Sequence, residues 1–457
     1  MKLLLRIILL VVSLCSATFI ADINGQEQTS TPYSNKSTVY SVSIVDTCNY
    51  KFKRAQYTMF IPKGISRVRG ILIHQHGCTM EGTGKPITTD LQYQAFAKKW
   101  DLAIIGPDMY PQGNDCFEWN SPENGSDASL LKGIDSLSIL SGHPELSDAP
   151  WLLWGHSGGG HWVLSMLSKH PQKVIALIAY SAAFDPKFNY PASVAKVPVL
   201  LRHAGKDDIN EPPVKCWETA VNQFSTLRKM KGLASIVHNK NQTHNFSYIR
   251  RLTIPFFESV LQQRLPADES NMLRDMDYSK SWLADTTGIK IYKASTFMGN
   301  HDSMSWLPDS ITARKYQEFI LSGTIIDHTL PPTPYHVMIK KQNRQGIKIT
   351  WEADADIESG IKYFNIYKNR KNIQRFPAEG DYQYFDTNGD NPIPEIAPQM
   401  CITLPQTDII SHTDIIEITT VNHDGLESLK ARGYITFKDD SHSELSVFNI
   451  KYQFLKF

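Results

Sequence analysis

The stretch WLLWGHSGGGHW, from Trp151 to Trp162, contains the most informative turn of the sequence. An apolar run leads into the letters GHSGG around Ser157, and a second apolar run with helical spacing follows. The pattern Gly-x-Ser-x-Gly between a strand and a helix is typical of a sharp, strained turn that holds a nucleophilic serine above a sheet edge. The same letters also occur in ordinary glycine-rich turns, so the interpretation depends on partners for Ser157 elsewhere in the chain.

Strands and helices alternate around this stretch, from about residue 38 to residue 261. The predicted strands are TVYSVSIVD, AQYTMFIP, RGILIHQHG, DLAIIGPDMYP, APWLLWG, KVIALIAYSAAF, KVPVLLRHAG and LASIVHN. The first two have a period of two, whereas the later ones are nearly continuous apolar runs. Such runs are typical of a parallel sheet that helices cover on both faces. The predicted fold class is therefore α/β, with a mostly parallel, doubly wound sheet.

A nucleophilic serine needs a base and an acid that orients the base. The two leading strands and the alternation after them resemble an α/β-hydrolase core, and that family has the chain order serine, acid, histidine. Asp207 and Asp208 follow the strand KVPVLLRHAG, at the edge where ligands bind in open α/β sheets. We predict Asp208 as the acid, because it stands three residues after Gly205, which is the commoner spacing for the acid of a triad. Asp207 is the alternative. Either aspartate is also a candidate cap for the next helix.

The candidate base is His244, which lies between the last predicted strand and the closing helix. His238 is the rival, but it falls inside the strand. The sequence therefore predicts that Ser157 attacks an acyl carbon, that His244 takes its proton, and that Asp208 orients the imidazole.

Two backbone amides are predicted to stabilise the oxyanion. One belongs to Gly158, directly after the serine, and the other to Cys78, in the loop after RGILIHQHG. No cluster of metal ligands and no phosphate-binding loop is visible in the sequence, so we expect no metal and no cofactor.

Three segments resemble the polyhydroxybutyrate depolymerase group of α/β-hydrolases, which includes secreted feruloyl and acetylxylan esterases. They are HGCTMEG at 76–82, MYPQGNDCFEWN at 109–120 and GHSGGG at 155–160, and the resemblance covers roughly residues 45–262. It implies an α/β-hydrolase core and a disulfide between Cys78 and Cys116 that braces the oxyanion loop. Two buried thiols are the alternative. Glu118 and His156 depart from the group's pattern.

About fifteen residues separate the two strands that follow the turn, which leaves no room for a large lid. An open cleft suits bulky or polymeric substrates. The predicted substrate contacts are Trp119, His156 and His161, with Trp162, Asn300 and His301 as further candidates for the cleft wall. The resemblance implies a secreted serine esterase acting on acylated polysaccharide or a polyester. Alternatives are a serine peptidase of the same fold and a non-catalytic surface-binding protein on a hydrolase scaffold.

The first 25 residues have the layout of a signal peptide. Lys2 and Arg6 precede an apolar run, Ile7–Leu14, that is too short for a membrane span, and small residues follow. We therefore expect a secreted or periplasmic protein, cleaved after Ala17 or near Gly25. The net charge of +1 and the lack of a long basic run give no indication of nucleic-acid binding.

Beyond the proline-rich segment TLPPTP at 329–334, the chain contains only short predicted strands. Those strands are IKITWEADAD, IKYFNIYKN, KNIQRFP, IIEITTVN and ARGYITFK. Trp351, the letters FNIY and the turn VNHDGLES resemble a fibronectin type III module, a β-sandwich that acts as a spacer or contacts glycans or cell surfaces. The predicted domains are a catalytic domain at 38–328 with an irregular extension at 262–328, a sandwich at 329–440 and a tail at 441–457.

Overall fold

The structure is a computed structural model. It describes residues 37–45, 50–79, 81–113, 115–183, 188–204, 216–238, 244, 248–266, 272–342, 346–383, 399–405 and 414–436. The predicted signal peptide, both candidate triad acids, Asp207 and Asp208, and the predicted tail lie outside these residues.

Eight strands form the central sheet, in the order β1-β2-β4-β3-β5-β6-β7-β8. They are β1 (Ser37–Ile44), β2 (Phe52–Pro62), β3 (Gly70–Gln75), β4 (Leu102–Pro111), β5 (Trp151–His156), β6 (Val174–Tyr180), β7 (Val199–His203) and β8 (Ala234–His238). β2 is antiparallel to both of its neighbours, and the pairs from β4 to β8 are parallel. The predicted α/β-hydrolase core is confirmed by this mostly parallel sheet.

Helices cover both faces of the sheet, as the continuous apolar strands predict. The helices are α1 (Gly84–Ile87), α2 (Leu91–Trp100), α3 (Ser126–Ser141), α4 (Gly158–Lys169), α5 (Cys216–Lys229), α6 (Arg250–Arg264) and α7 (Ser310–Ser322). Leu152 and Leu153, which are neighbours on β5, belong to two different apolar clusters. The first cluster contains side chains of α3, α4 and α5, and the second contains side chains of α2, α6 and α7. Within the described part of the chain, no helix combines the length and apolar character that a membrane span needs.

Asp90 begins α2 and links it to α6. Its carboxylate accepts hydrogen bonds from the backbone N–H groups of Gln92 and Tyr93, both at 3.0 Å, so Asp90 is the cap of this helix. Its other oxygen accepts from the guanidinium of Arg250 at 2.6 Å, and both side chains are buried. A buried charge of this kind requires a partner, which Arg250 supplies.

The segment that was expected to be an irregular extension contains regular structure. A small antiparallel sheet, in the order β10-β9-β11, consists of β9 (Trp282–Ala284), β10 (Ile291–Lys293) and β11 (Ser305–Leu307). Leu283 and Trp306 are fully buried in the same apolar cluster as α6 and α7. These strands are three residues long, too short for a period-of-two pattern to stand out in the sequence.

The C-terminal part consists of two four-stranded sheets around one apolar cluster. Their strands are β12 (Tyr335–Gln342), β13 (Gly346–Glu352), β14 (Tyr363–Lys368), β15 (Lys371–Phe376), β16 (Cys401–Leu404), β17 (Ile416–Val421), β18 (Ala431–Arg432) and β19 (Tyr434–Thr436). Trp351 is buried edge-on against Phe364, with ring centroids 5.2 Å apart. The predicted all-β sandwich is confirmed, and β12 and β16 are the strands that the sequence analysis missed.

The sandwich packs directly against the α/β domain. Ala95 of α2 is part of the sandwich's apolar cluster. The side chain of Gln92 donates to the carbonyl oxygen of Ile357 at 2.8 Å, and Gln383 accepts from the backbone N–H of Leu91 at 2.9 Å. The sandwich therefore shares apolar and polar contacts with α2.

Candidate functional site

Ser157 occupies the turn between β5 and α4 with a strained backbone, φ 52° and ψ −115°. A residue with a side chain seldom adopts a positive φ, and such strain is concentrated at functional sites. The backbone around Ser157 is held by three hydrogen bonds: its N–H donates to Tyr180, and its carbonyl oxygen accepts from Ala183, both at 2.9 Å, and from His161 at 3.2 Å. The neighbouring strand therefore maintains the turn.

Glycines are required on both sides of the serine because the backbone passes close to its surroundings. A Cβ on Gly155 would lie 2.2 Å from the carbonyl oxygen of Gly159. A Cβ on Gly158 would lie 2.3 Å from Sγ of Cys78 and 3.0 Å from Sγ of Cys116. The second clash shows that the loop after β3 lies directly on the first residue of α4.

Cys78 and Cys116 form the disulfide that the resemblance implies, so the alternative of two thiols is wrong. The backbone nitrogen of Cys78 lies 3.5 Å from the position of a Cβ on Gly158. The structure therefore brings the two predicted oxyanion donors side by side at the carboxyl edge of the sheet.

His244 lies next to the serine turn. Its carbonyl oxygen is 3.3 Å from Nε2 of His156, and the two imidazole centroids are 4.9 Å apart. His156 directly precedes Ser157, so His244 contacts the residue before the predicted nucleophile. The rival, His238, is at the end of β8 and stacks on His203 with ring centroids 4.7 Å apart.

Sγ of Cys216, the first residue of α5, lies 3.6 Å from Nδ1 of His244. Cys216 is fully buried. This contact involves the imidazole nitrogen that faces the orienting acid in a serine triad. No signal in the sequence distinguishes Cys216 from a cysteine of the apolar core.

His156 is buried rather than exposed in a cleft, so its predicted contact with substrate is not supported. Its side chain is 2% exposed and packs against Tyr180, with ring centroids 5.1 Å apart. Burial, followed by the electrostatic effect of the neighbouring His244 imidazole, holds the pKa of His156 well below its ordinary value. A neutral imidazole donates from Nε2 to the carbonyl oxygen of His244.

Trp119 and Trp162 were also predicted to line the cleft, and their burial corrects that prediction. Trp119 has no exposed surface and lies edge-on to His76, with ring centroids 5.2 Å apart. Trp162 is 1% exposed, and its indole N–H donates to Oγ of Ser126 at 3.0 Å. Both tryptophans therefore belong to the protein core. The sequence alone could not distinguish a buried tryptophan from one that lines a cleft.

His161 is the predicted contact that remains partly exposed at this edge. It lies in the first turn of α4, and its imidazole centroid is 5.7 Å from the ring of Phe188, which is also partly exposed. Phe188 follows β6 and was not predicted from the sequence. The two rings lie together at the start of α4, the helix that follows Ser157.

Asn300 and His301 line a different cavity, of about 500 Å³. Arg228 and Lys231, at the end of α5, contribute to the same cavity. Its polar groups are bonded to one another: Lys231 pairs with Asp302 at 2.7 Å, and Arg228 donates to the carbonyl oxygen of His301 at 2.6 Å. The helix runs away from the carboxyl edge, so these residues do not form the wall that was predicted for them.

Two charged residues inside apolar strands bind the loops at the carboxyl edge of the sheet. The sequence analysis did not predict either of them. Asp108 of β4 accepts from the backbone N–H groups of Gly82 and Gly84, both at 2.8 Å, and so anchors the loop after Cys78. Arg202 of β7 is fully buried and donates to Oγ of Ser181. A single charged residue within an apolar strand was the signal that could have found both.

The residues that the structure describes include no group of three histidine, cysteine or acidic side chains placed to bind a metal ion.

No family model matches the sequence, and no curated protein resembles it significantly. Among solved structures, the chain is similar to a poly(3-hydroxybutyrate) depolymerase from Bordetella parapertussis, with 13% identity over 50% of this chain and 87% of that chain and a TM-score of 0.35. It is also similar to an S-formylglutathione hydrolase from Agrobacterium tumefaciens, with 16% identity over 51% and 99% of the two chains and a TM-score of 0.37. A ferulic acid esterase has 16% identity over 50% and 95%, with a TM-score of 0.34. Likenesses this low carry no argument about activity, and the fold rests on the observed sheet.

Proposed function

We propose that this protein is a serine esterase in which Ser157 is the nucleophile, His244 the base and Asp208 the orienting acid. The observation that carries the proposal is the backbone of Ser157, which is strained at φ 52° between β5 and α4. An ordinary turn at this point would relax to a negative φ, whereas a nucleophilic serine requires the strained geometry to expose its oxygen.

In the proposed mechanism, Ser157 attacks the carbonyl carbon of an ester while His244 accepts its proton. The N–H groups of Cys78 and Gly158 donate to the oxyanion, and collapse of the tetrahedral intermediate releases the alcohol after His244 returns the proton to it. Water then attacks the acyl-enzyme in the same way and regenerates Ser157. Donors that are already oriented before the charge develops make this arrangement effective.

The substrate that we propose is an acylated polysaccharide or a polyester. About fifteen residues separate the two strands after the serine turn, which leaves no room for a large lid and supports a bulky substrate. The partly exposed rings of His161 and Phe188 offer a surface for an acyl group. We also propose that the protein is secreted or periplasmic, on the basis of its N-terminal sequence, and that its sandwich is a fibronectin type III-like module that contacts glycans or a cell surface.

Hydrolysis of para-nitrophenyl acetate by the wild type and by Ser157→Ala tests the proposal. We expect the variant to lose at least about 10³-fold in kcat, since removal of a triad serine has large effects. Ser165→Ala is the matched control, because Ser165 lies on the same helix and its hydroxyl bonds to the carbonyl oxygen of His161. Equal rates of hydrolysis by the wild type and Ser157→Ala would refute the proposal that Ser157 is the nucleophile of an esterase. Asp208→Asn and Asp207→Asn then identify the acid.

A further inference from the structure

The imidazole of His76 bridges the loop after β3 to strand β4. Its Nδ1 lies 2.5 Å from the carbonyl oxygen of Gly77, and its Nε2 lies 3.0 Å from the backbone nitrogen of Met109. A carbonyl oxygen accepts and a backbone N–H donates, so Nδ1 carries the proton and Nε2 accepts. The two contacts together determine one neutral tautomer of His76.

The bond to Gly77 determines the direction of the next amide. The peptide between Gly77 and Cys78 is planar and is not among the cis bonds of the described chain. In a trans peptide the C=O and N–H groups point in opposite directions. Because the oxygen of Gly77 faces the buried ring of His76, the N–H of Cys78 points away from that ring.

A flip of this peptide changes ψ of Gly77 and φ of Cys78, and Gly77, which has no Cβ, restricts its own ψ only weakly. The disulfide holds the side chain of Cys78 but does not determine the orientation of the peptide plane before it. The hydrogen bond from His76 to the carbonyl oxygen of Gly77 adds a restraint that keeps the Cys78 amide in one direction.

We propose that His76 is a positioning residue that orients the Cys78 N–H toward the oxyanion by holding the Gly77 carbonyl group. This inference rests on the proposed function, in which Cys78 is an oxyanion donor. It also explains the burial of Trp119, whose ring supports that of His76. Trp119 closes the short helical turn that starts at Cys116, so one segment holds both the Cys78 side chain and the His76 ring.

Two substitutions separate the two bonds of His76. The side-chain amide of His76→Asn reaches the place of Nδ1 and keeps a donor for Gly77. The longer amide of His76→Gln reaches the place of Nε2 and keeps only an acceptor for Met109. His76→Phe keeps a ring against Trp119 and loses both bonds.

We expect kcat for para-nitrophenyl acetate to fall about 100-fold in His76→Gln and His76→Phe, the size of effect that follows loss of one oxyanion donor. We expect His76→Asn to stay within about tenfold of the wild type by the same measure, with KM little changed in all three. Thermal unfolding of each variant, and kcat normalised to the sites that a fluorophosphonate labels, separate this effect from loss of folded protein.

Equal kcat in His76→Asn and His76→Gln, or a higher kcat in the glutamine variant, would overturn the inference. If the wild type neither hydrolyses the ester nor is labelled at Ser157, the proposed function itself fails, which is a different result. The intact protein provides a second test should the variants not fold. Its ¹⁵N-histidine spectrum should contain a buried neutral imidazole protonated at Nδ1, and a spectrum without one would contradict the role of His76.

Discussion

Nε2 of His156 donates a hydrogen bond of 3.3 Å to the carbonyl oxygen of His244. The residue before the candidate nucleophile thus holds the backbone of the candidate base. The sequence places these histidines 88 positions apart, and they meet because β5 and β8 end at the same edge of a parallel sheet.

Replacement of His156 tests the importance of this bond. His156→Phe removes the donor, and the loss of about 0.5–1.5 kcal/mol of hydrogen bonding predicts a kcat up to about tenfold lower. His156→Gln keeps a donor near the position of Nε2 and should retain most of the activity. Hydrolysis of para-nitrophenyl acetate measures both, and a glutamine variant as impaired as the phenylalanine variant would argue against the bond.

Removal of the disulfide is expected to affect both stability and activity. The double variant Cys78→Ser/Cys116→Ser opens a loop of 38 residues and should lower the free energy of unfolding by about 3–4 kcal/mol. Denaturant unfolding measures this loss, and kcat should fall because the loop that carries the Cys78 amide loses its covalent attachment to residue 116. Cys401→Ser is the control, since Cys401 is in no disulfide and lies in β16 of the sandwich. An unchanged kcat in the double variant would mean that the loop holds its shape without the bond.

The buried His74 predicts a pH dependence of stability. Its ring stacks on Trp154 with centroids 4.1 Å apart, and burial, followed by the charge of Arg250, holds its pKa well below the ordinary value of 6.5. As the pH falls through 6.5, the unfolded chain takes up a proton that the folded protein does not, so stability decreases. Relative to His74→Phe, the wild type should lose up to about 1.4 kcal/mol per pH unit below 6.5.

Urea unfolding of the wild type and His74→Phe at pH 7 and pH 5 measures this difference. Both proteins share the other titrating groups, so the comparison isolates His74. Parallel pH profiles for the two proteins would show that the pKa of His74 is the same in the folded and unfolded states, which would contradict the prediction.

The contact between the sandwich and α6 is expected to contribute to stability. Asp424 accepts two hydrogen bonds from the guanidinium of Arg251, at 2.6 Å and 2.8 Å, and Arg251 is buried. Asp424→Ala leaves that charge without this partner and should cost on the order of 2 kcal/mol, between the values for exposed and fully buried pairs. Lys98→Ala, which breaks the exposed pair with Asp354, should cost less than about 1 kcal/mol.

Unfolding midpoints of these variants provide the measurement. Restoration of stability by the exchanged pair, Arg251→Asp with Asp424→Arg, would assign the effect to the pair itself. Equal losses for Asp424→Ala and Lys98→Ala would mean that the sandwich is attached mainly by its apolar contacts.

The fold was predictable because its signals are local. The first two strands of the central sheet have a period of two and the other six are apolar runs, and both patterns are visible within a short window of sequence. The strained turn at Ser157 also lies in a short glycine-rich segment. The small sheet β9–β11 was missed because three-residue strands carry no period. Trp119 and Trp162 were predicted to line the cleft, but both are buried. The sequence around a tryptophan does not show whether its side chain faces a cleft or the core.

By itself, the sequence determined the α/β alternation, the position of the serine turn and the order of the candidate triad residues. Each of these depends on residues close together in the chain or on their order along it. The tertiary structure alone decided that His76 holds the Gly77 carbonyl group, that His156 supports His244, and that Cys216 lies beside the same imidazole. Such contacts depend on how parallel strands align at one edge, and that alignment results from packing the whole sheet between its helices.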